Sequence, residues 1–303
     1  MGKNGRLSRP YLVDNPGKFR LRNIDPDDTH GIEGEKQALE ILQRGVDRLA
    51  EEQEKLYADN SWALLLVFQA MDAAGKDSTI KHVMSGVNPA GCQVHSFKAP
   101  NAEELDHDFL WRCAKCLPER GRIGVFNRSY YEEVLVVRVH DDFLLRQGLP
   151  EKLLTKKIWD ERLEDIADWE KYLTRNGVAI LKFYLHVSKR EQRKRFLARL
   201  DESDKNWKFN AADVKEREHW DEYMEAYESA IRATSTKEAP WYVVPADHKW
   251  FTRAVVADAI VARLKEMDLK FPVMNAERLK DLEESRRALQ NGRSVRRNKG
   301  GID

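Results

Sequence analysis

The chain has little cysteine and no long hydrophobic run. Its 303 residues include three cysteines, Cys92, Cys113 and Cys116, which are odd in number and too few for a disulfide framework. No apolar stretch reaches the roughly 18 residues that a transmembrane helix needs. Residues 1–10 are polar and basic, without the apolar segment of a secretory signal. We therefore expect a cytoplasmic protein without a membrane partner.

An excess of charge of either sign is also lacking. Lysine and arginine number 52 and aspartate and glutamate number 51, which leaves a net charge of +1. A net charge this small gives the protein no overall positive potential that would attract nucleic acid. A polyanion would therefore have to bind at a local basic patch. The length and the 42% hydrophobic content allow one sizeable core with appendages, and we predict one main domain.

Short apolar runs alternate with helical patterns along the chain. Predicted strands cover residues 64–68, 91–97, 122–126, 178–187 and 241–244, and predicted helices cover 34–58, 103–117, 150–175 and 211–232. This alternation is typical of an α/β fold, in which helices flank both faces of a parallel sheet and ligands bind at the carboxyl ends of the strands.

Three regions follow from the pattern. Residues 1–60 are interpreted as an N-terminal arm and a helix packed on the core, and residues 61–270 as the main domain, with a helical lid around 189–215. Residues 271–303 are expected to form a C-terminal helix and a disordered basic tail.

The first predicted strand runs into a phosphate-binding sequence. Leu64 to Phe68 lead into a segment that approximates the Walker A pattern G-x-x-x-x-G-K-Ser/Thr. Ala70 replaces the first glycine and Asp77 replaces the hydroxyl that binds magnesium. Backbone N–H groups at a helix N-terminus and one lysine still form an anion site, which predicts phosphate binding by Ala73, Ala74, Gly75, Lys76, Asp77 and Ser78. The alternative is an ordinary strand-to-helix turn.

The third predicted strand ends in Asn127 and Arg128. In phosphate-loop enzymes an aspartate that reaches magnesium commonly ends the neighbouring strand, and Asn127 brings no charge to that position. Asp72 and Asp77 in the loop could supply the missing carboxylate, because Mg²⁺ prefers one or two carboxylates with phosphate oxygens and waters. A guanidinium at Arg128 suits adjacent phosphoryl groups, although it could instead pair with Glu132 or Glu133.

A basic helix is predicted directly after the fourth strand. Its Arg195 and Arg199 are spaced i and i+4, so both point to one face. The segment resembles the lid of nucleotide kinases, whose arginines close over the transferring phosphoryl group. A solvated basic face is the alternative.

These motifs together resemble the polyphosphate kinase 2 family. The resemblance covers approximately Asp14 to Leu269 and is carried by separated segments in the family's order: Ala70-Met71-Asp72-Ala73-Ala74-Gly75-Lys76-Asp77, Thr79-Ile80-Lys81, Lys98-Ala99-Pro100, Phe126-Asn127-Arg128-Ser129, Lys194-Arg195-Phe196, Trp207-Lys208 and Ala239-Pro240-Trp241. It implies a P-loop kinase fold, Mg²⁺ as cofactor, a dimer or tetramer, and reversible phosphoryl transfer between inorganic polyphosphate and a nucleotide. Tyr130-Tyr131-Glu132-Glu133 resembles the subgroup that accepts nucleoside monophosphates and diphosphates, so we expect conversion of AMP to ADP and of ADP to ATP.

The resemblance also implies roles at matching positions. Catalytic roles fall on Asp72, Lys76, Arg128 and Arg195, and metal binding on Asp72 and Asp77. Lys81, Lys98 and Arg199 would contact the polyphosphate, and nucleotide binding falls on Asn127, Arg128, Tyr131, Glu132 and Glu133. Direct transfer needs no nucleophile, so the histidines are expected to be incidental. Two alternatives remain open: an ATP-dependent P-loop nucleotide or small-molecule kinase, and a binding module that uses the basic tail from Arg293.

Overall fold

A five-stranded parallel sheet forms the centre of the molecule. The computed structural model describes residues 6–290. The strands are β1 (Ala63–Ala70), β2 (Cys92–Ser96), β3 (Ile123–Asn127), β4 (Val178–His186) and β5 (Trp241–Pro245), in the order β2-β3-β1-β4-β5. All four strand pairs are parallel, which confirms the α/β prediction.

β1 lies in the middle of the sheet because nearly all of its side chains are apolar. Every residue from Ala63 to Gln69 is buried, as expected for a strand covered on both faces. Phe68 pairs in register with Asn127 of β3 and with Phe183 of β4. The carboxyl ends of these three strands therefore meet at one edge, where the phosphate-binding sequence begins.

Within residues 6–290 the chain forms twelve α-helices. They are α1 (Glu35–Asp59), α2 (Lys76–Val83), α3 (Ala102–Leu105), α4 (Trp111–Ala114), α5 (Val136–Val139), α6 (Asp142–Leu145), α7 (Ile158–Arg175), α8 (Lys189–Asp201), α9 (Ala211–Glu216), α10 (Trp220–Thr234), α11 (Lys249–Glu266) and α12 (Ala276–Gln290). Helices α1, α2 and α11 pack together, as do α5, α7 and α10. A Cβ at Gly45 of α1 would lie 3.0 Å from that of Ala257 in α11, so the absence of a side chain permits this close crossing.

Three predicted helices are shorter than expected. The helix expected over 103–117 is two short helices, α3 and α4, because a capping box of Asn101 and Glu104 starts the first and the Asp108 carboxylate binds the Leu110 N–H before the second. The helix expected from Pro150 begins at Ile158, after a separate 3₁₀ turn at Glu151–Leu153. A 3₁₀ turn at Arg217–His219 divides the segment expected over 211–232 into α9 and α10.

The N-terminal arm covers the β5 edge of the sheet. It contains 3₁₀ turns at Arg9–Tyr11, Pro16–Lys18 and Leu21–Asn23. The Val13 N–H donates to the Trp241 carbonyl at 2.9 Å, and Leu12 forms an antiparallel bridge with Tyr242. These contacts satisfy backbone groups that an edge strand would otherwise expose.

The chain divides into two compact units, with the boundary between Leu269 and Lys270. The first contains the sheet, the arm and helices α1 to α11, and the second contains α12. Within residues 6–290, no helix is both long enough and apolar enough to cross a bilayer. The expected disordered tail lies outside the described residues.

Candidate active site

The loop between β1 and α2 has the backbone of an anion-binding turn. Gly75 has φ of 99° and Ala73 has φ of 61°. Glycine adopts this left-handed region freely, whereas alanine is strained there and needs support from its surroundings. Helix α2 begins at Lys76, directly after Gly75. Its first N–H groups and the lysine therefore lie at one place, as the sequence indicated.

Lys76 is joined to the ends of neighbouring elements by a short chain of hydrogen bonds. Its Nζ donates to Asn127 Oδ1 at 2.6 Å. Asn127 Nδ2 lies 2.7 Å from Asp77 Oδ1 and 3.3 Å from Ser96 Oγ. Burial and, to a lesser extent, the Arg128 charge lower the pKa of Lys76 to about 8 against the opposing effect of nearby carboxylates. Because the ammonium is destabilised, the site favours an anion beside it.

Arg128 lies between the loop and the turn that follows β3. Its φ is 65°, and its guanidinium donates to Asp72 Oδ1 at 3.2 Å and to Glu132 Oε2 at 3.3 Å. These carboxylates, Glu132 first, hold the pKa of Arg128 above its ordinary value. The ion pair considered as an alternative role thus forms with Glu132, although 45% of the Arg128 side chain remains exposed to solvent and available to a ligand.

The loop carries two carboxylates, those of Asp72 and Asp77, which the sequence suggested as magnesium ligands. Each carboxylate uses Oδ1 for a hydrogen bond, to Arg128 and Asn127 respectively. In the described part of the chain no group of three or more His, Cys, Asp and Glu side chains is arranged to hold a metal. Mg²⁺ characteristically uses one or two carboxylates and takes its other ligands from phosphates and water. The two aspartates could therefore hold Mg²⁺ only together with a phosphate ligand.

A basic cavity of about 510 Å³ opens over the loop. Residues 70–78 form one wall, and α8 with the segment after it forms another. Its cationic lining residues are Lys76, Lys98, Arg128, Arg195, Arg199, Lys205, Lys208 and Lys249. A concentration of cations over a helix N-terminus suits a chain of phosphates.

The two arginines of α8 that the sequence singled out, Arg195 and Arg199, differ in their surroundings. Arg199 is partly exposed and lies 3.4 Å from Asp213 Oδ2 and 3.3 Å from the Lys208 carbonyl. Arg195 is 8% exposed and donates to four backbone carbonyls and to Glu191. The structure thus brings both to the cavity, but it leaves only Arg199 with a guanidinium that is open to a ligand.

A second cavity, of about 270 Å³, adjoins the first and shares Phe97, Lys98 and Arg128 with it. Apolar and aromatic side chains form much of its lining, together with Glu132 and Glu133. The Glu133 carboxylate accepts from Gln147 Nε2 at 2.8 Å and from the buried Arg162. Burial raises the pKa of Glu133, against the opposing effect of Arg162. Both glutamates therefore face this cavity.

Two residues predicted to bind substrates lie elsewhere. Tyr131 is fully buried, and its hydroxyl lies 2.8 Å from Glu170 Oε1 and 2.8 Å from Thr234 Oγ1. Lys81 is on the exposed side of α2 and lines neither cavity. The structure therefore gives no route by which the Tyr131 side chain would contact a nucleotide directly.

Sequence reasoning missed Lys249, the first residue of α11. Its side chain packs beside the loop, with Cγ and Cε 3.8 Å from the position of a Cβ at Gly75. Burial lowers the pKa of Lys249, and the charges of Arg195, Arg253 and Lys205 lower it further. The signal was available, because Lys249 follows β5 closely and the carboxyl ends of parallel strands meet at one edge.

The strand order and the Gly75-Lys76 turn define the class: this protein has a P-loop kinase-like fold. Residues 33–272 match the family model Polyphosphate kinase 2 (PPK2), and the chain belongs to that family, which confirms the resemblance found in the sequence.

Similar proteins span nearly the whole chain. It is 53% identical over 288 residues to the ADP-polyphosphate phosphotransferase of Rhodopseudomonas palustris, with 95% of this chain and 98% of that protein covered. It is 44% identical over 268 residues to the AMP/ADP-polyphosphate phosphotransferase of Meiothermus ruber, with 87% and 95% covered. Polyphosphate Kinase 2 from Arthrobacter aurescens TC1 has a similar crystal structure, with a TM-score of 0.83, 39% identity, and coverage of 93% of this chain and 99% of that one.

Proposed function

We propose that this protein transfers phosphoryl groups directly and reversibly from inorganic polyphosphate to ADP and AMP, giving ATP and ADP. The observation that carries the proposal is the pair of adjoining cavities, one basic and one largely apolar, with Arg128 and Lys98 shared between them. A polyanionic donor suits the first cavity. A nucleoside suits the second, because apolar walls with a few polar groups are typical of small-molecule sites.

Relatives with complementary names support this assignment. The Rhodopseudomonas protein is named for ADP, and the Meiothermus protein is named for both AMP and ADP. A polyphosphate:AMP phosphotransferase of Acinetobacter johnsonii is 33% identical over 202 residues, with 67% of this chain and 40% of that protein covered. Transfer to both acceptors in turn is therefore the activity that we assign to this chain.

The chain's residues act by positioning and charge. Lys76 and the loop amides would hold the phosphoryl group that moves, and Arg128, between the cavities, would neutralise charge on donor and acceptor in the transition state. Arg199, Lys205, Lys208 and Lys249 would hold the rest of the donor chain. In-line transfer requires no covalent protein intermediate, so no nucleophile is needed.

Bound magnesium would neutralise phosphate charge at this site, and Asp72 and Asp77 are the residues that would hold it. We further propose a homo-oligomer in the cytoplasm that uses neither nucleic acid nor membrane as a partner.

The acceptor assay tests the proposal. Purified protein is incubated with polyphosphate, Mg²⁺ and either AMP or ADP, with no ATP added, and products are separated by ion-exchange chromatography. We expect ADP and then ATP from AMP, and ATP from ADP, with Lys76→Ala inactive as the control. Absence of ADP from the AMP reaction would remove AMP from the proposal, and absence of product from both would overturn it.

The same assay separates the alternatives. An ATP-dependent kinase would consume ATP with a suitable acceptor when polyphosphate is absent. A binding module that uses the basic tail would lose its function when residues 290–303 are deleted. We expect that deletion to leave polyphosphate-dependent turnover unchanged.

A further inference from the structure

Arg195 has no N–H left to offer a substrate. A guanidinium carries five N–H donors, and each of them has a protein acceptor here. Nε donates to Glu191 Oε1 at 2.9 Å. One terminal nitrogen donates to the carbonyls of Ala73 at 3.1 Å and Ala74 at 2.8 Å, and the other to those of Ala246 at 2.7 Å and Asp247 at 2.9 Å.

Gln192, on the same face of α8, extends this support by one residue. Its Nε2 donates to the Asp72 carbonyl at 2.9 Å, and Arg217 donates to its Oε1 at 2.5 Å. Three consecutive carbonyls of the loop, those of residues 72, 73 and 74, therefore receive donors from α8. The peptide plane is trans, so a carbonyl held on one side directs the N–H of the next residue to the other side. Fixing these carbonyls thus fixes the direction of the amides of residues 73 to 75, of which the Ala74 N–H donates to the Met71 carbonyl at 3.1 Å.

The loop needs this support because of its sequence. Alanine at position 70 replaces the first glycine of the Walker A pattern, and Ala73 is held at a φ of 61°. A non-glycine residue in this region persists only where the surroundings over-determine it. The Arg195 guanidinium supplies that constraint, because it donates hydrogen bonds both to the loop and to the segment after β5.

We propose that Arg195 is a positioning residue that holds the phosphate loop in its anion-binding conformation, whereas Arg199 is the lid arginine that contacts the phosphate chain. This division of roles rests on the proposed function. It replaces the expectation that both arginines clamp the substrate. Arg199 lines the basic cavity, is partly exposed, and makes only two long hydrogen bonds.

Binding of tripolyphosphate tests the division without requiring turnover. Affinity is measured by isothermal titration calorimetry at several salt concentrations for wild type, Arg195→Ala and Arg199→Ala, with Arg193→Ala as an exposed control on α8. We expect Arg199→Ala to reduce the slope of log affinity against log salt by about one, because one phosphate contact is lost. Arg195→Ala should weaken binding about tenfold and leave that slope unchanged, since the number of contacting cations stays the same. A slope reduced by about one in Arg195→Ala would overturn the proposal.

Conservative variants provide the second readout. Lysine keeps the charge but cannot bridge two pairs of carbonyls, so Arg195→Lys should lower kcat about 100-fold with the KM for polyphosphate little changed. Arg199→Lys should keep most of the activity. Thermal unfolding confirms that each variant is folded, and millimolar guanidinium should restore turnover to Arg195→Ala. Near-normal kcat in Arg195→Lys, or folded Arg195→Ala that guanidinium does not restore, would contradict the proposed role.

Failure of wild type to turn over polyphosphate would instead overturn the proposed function and leave the calorimetric result standing.

Discussion

Replacing Lys182 with methionine tests how a buried ion pair supports the turn that follows β3. Lys182 is completely buried in β4, and Glu170 of α7 is 2% exposed. The ammonium donates to the Glu170 carboxylate, to the Thr234 carbonyl at 2.8 Å and to the Tyr131 hydroxyl at 3.1 Å. Tyr130 also donates to Glu170, at 2.8 Å. The pair thus anchors both tyrosines that precede Glu132.

The burial of Lys182 and Glu170 determines how much stability each variant should lose. Lys182→Met leaves the Glu170 carboxylate buried without its cation, which we expect to lower the free energy of unfolding by about 3–5 kcal/mol. The double variant Lys182→Met/Glu170→Gln removes both charges and keeps an acceptor for the tyrosine hydroxyls, so it should cost only about 1–2 kcal/mol. Each value follows from urea unfolding with linear extrapolation.

Tyr184→Phe is the matched control in the same strand. Tyr184 is also fully buried, but the contact of its hydroxyl is a weak one to the Met224 sulfur at 3.6 Å. We expect a loss below about 1 kcal/mol for this variant. If Lys182→Met cost no more than Tyr184→Phe, or if the double variant were as unstable as the single one, the reasoning about a coupled pair would be refuted.

Three further predictions concern the phosphate loop. Because the pKa of Lys76 is lowered to about 8, the free enzyme should lose this cation as pH rises through that value, and kcat/KM should fall about tenfold per unit above it; a flat alkaline profile would contradict this. Gly75→Ala places alanine at a φ of 99° and should cost about 1–2 kcal/mol in unfolding and abolish turnover. Gly148→Ala, at a φ of 67° with nothing within 4 Å, should share the stability loss but keep turnover, and equal turnover in both variants would refute the role of Gly75. Asp72→Asn and Asp77→Asn should each lower turnover at limiting Mg²⁺ by at least about tenfold, and unchanged Mg²⁺ titrations would exclude both as ligands.

Apolar runs predicted β1, β3, β4 and β5 because burial on both faces of a parallel strand leaves a direct signal in the sequence, whereas β2 is a largely exposed edge strand. All five predicted strands are present, each with ends within two residues of the expected ones or extended along the same run. The anion-binding turn was also predictable, because Gly75-Lys76 follow the first strand at the spacing of the Walker A pattern and open a helix.

The functions of individual side chains were less predictable because they depend on partners distant in sequence. Helical spacing correctly places Arg195 and Arg199 on related turns, but it cannot reveal the Ala246 and Asp247 carbonyls that bury the first of them. The motif around Tyr131 predicts a site residue. In the structure, however, the Tyr131 hydroxyl donates in the core to Glu170, 39 positions away. Lys249 has no motif at all, and its position at the loop follows only from the topology of the sheet.

The most direct test of the account follows the phosphorus itself. Polyphosphate, ADP and Mg²⁺ are mixed with the protein without added ATP, and ³¹P NMR records the polyphosphate and nucleotide signals over time, for wild type and for Lys76→Ala. The account predicts that wild type forms one ATP γ-phosphate for each phosphate lost from the polymer and that Lys76→Ala forms none. Loss of polymer signal with only free phosphate released, or equal ATP formation by both proteins, would contradict it.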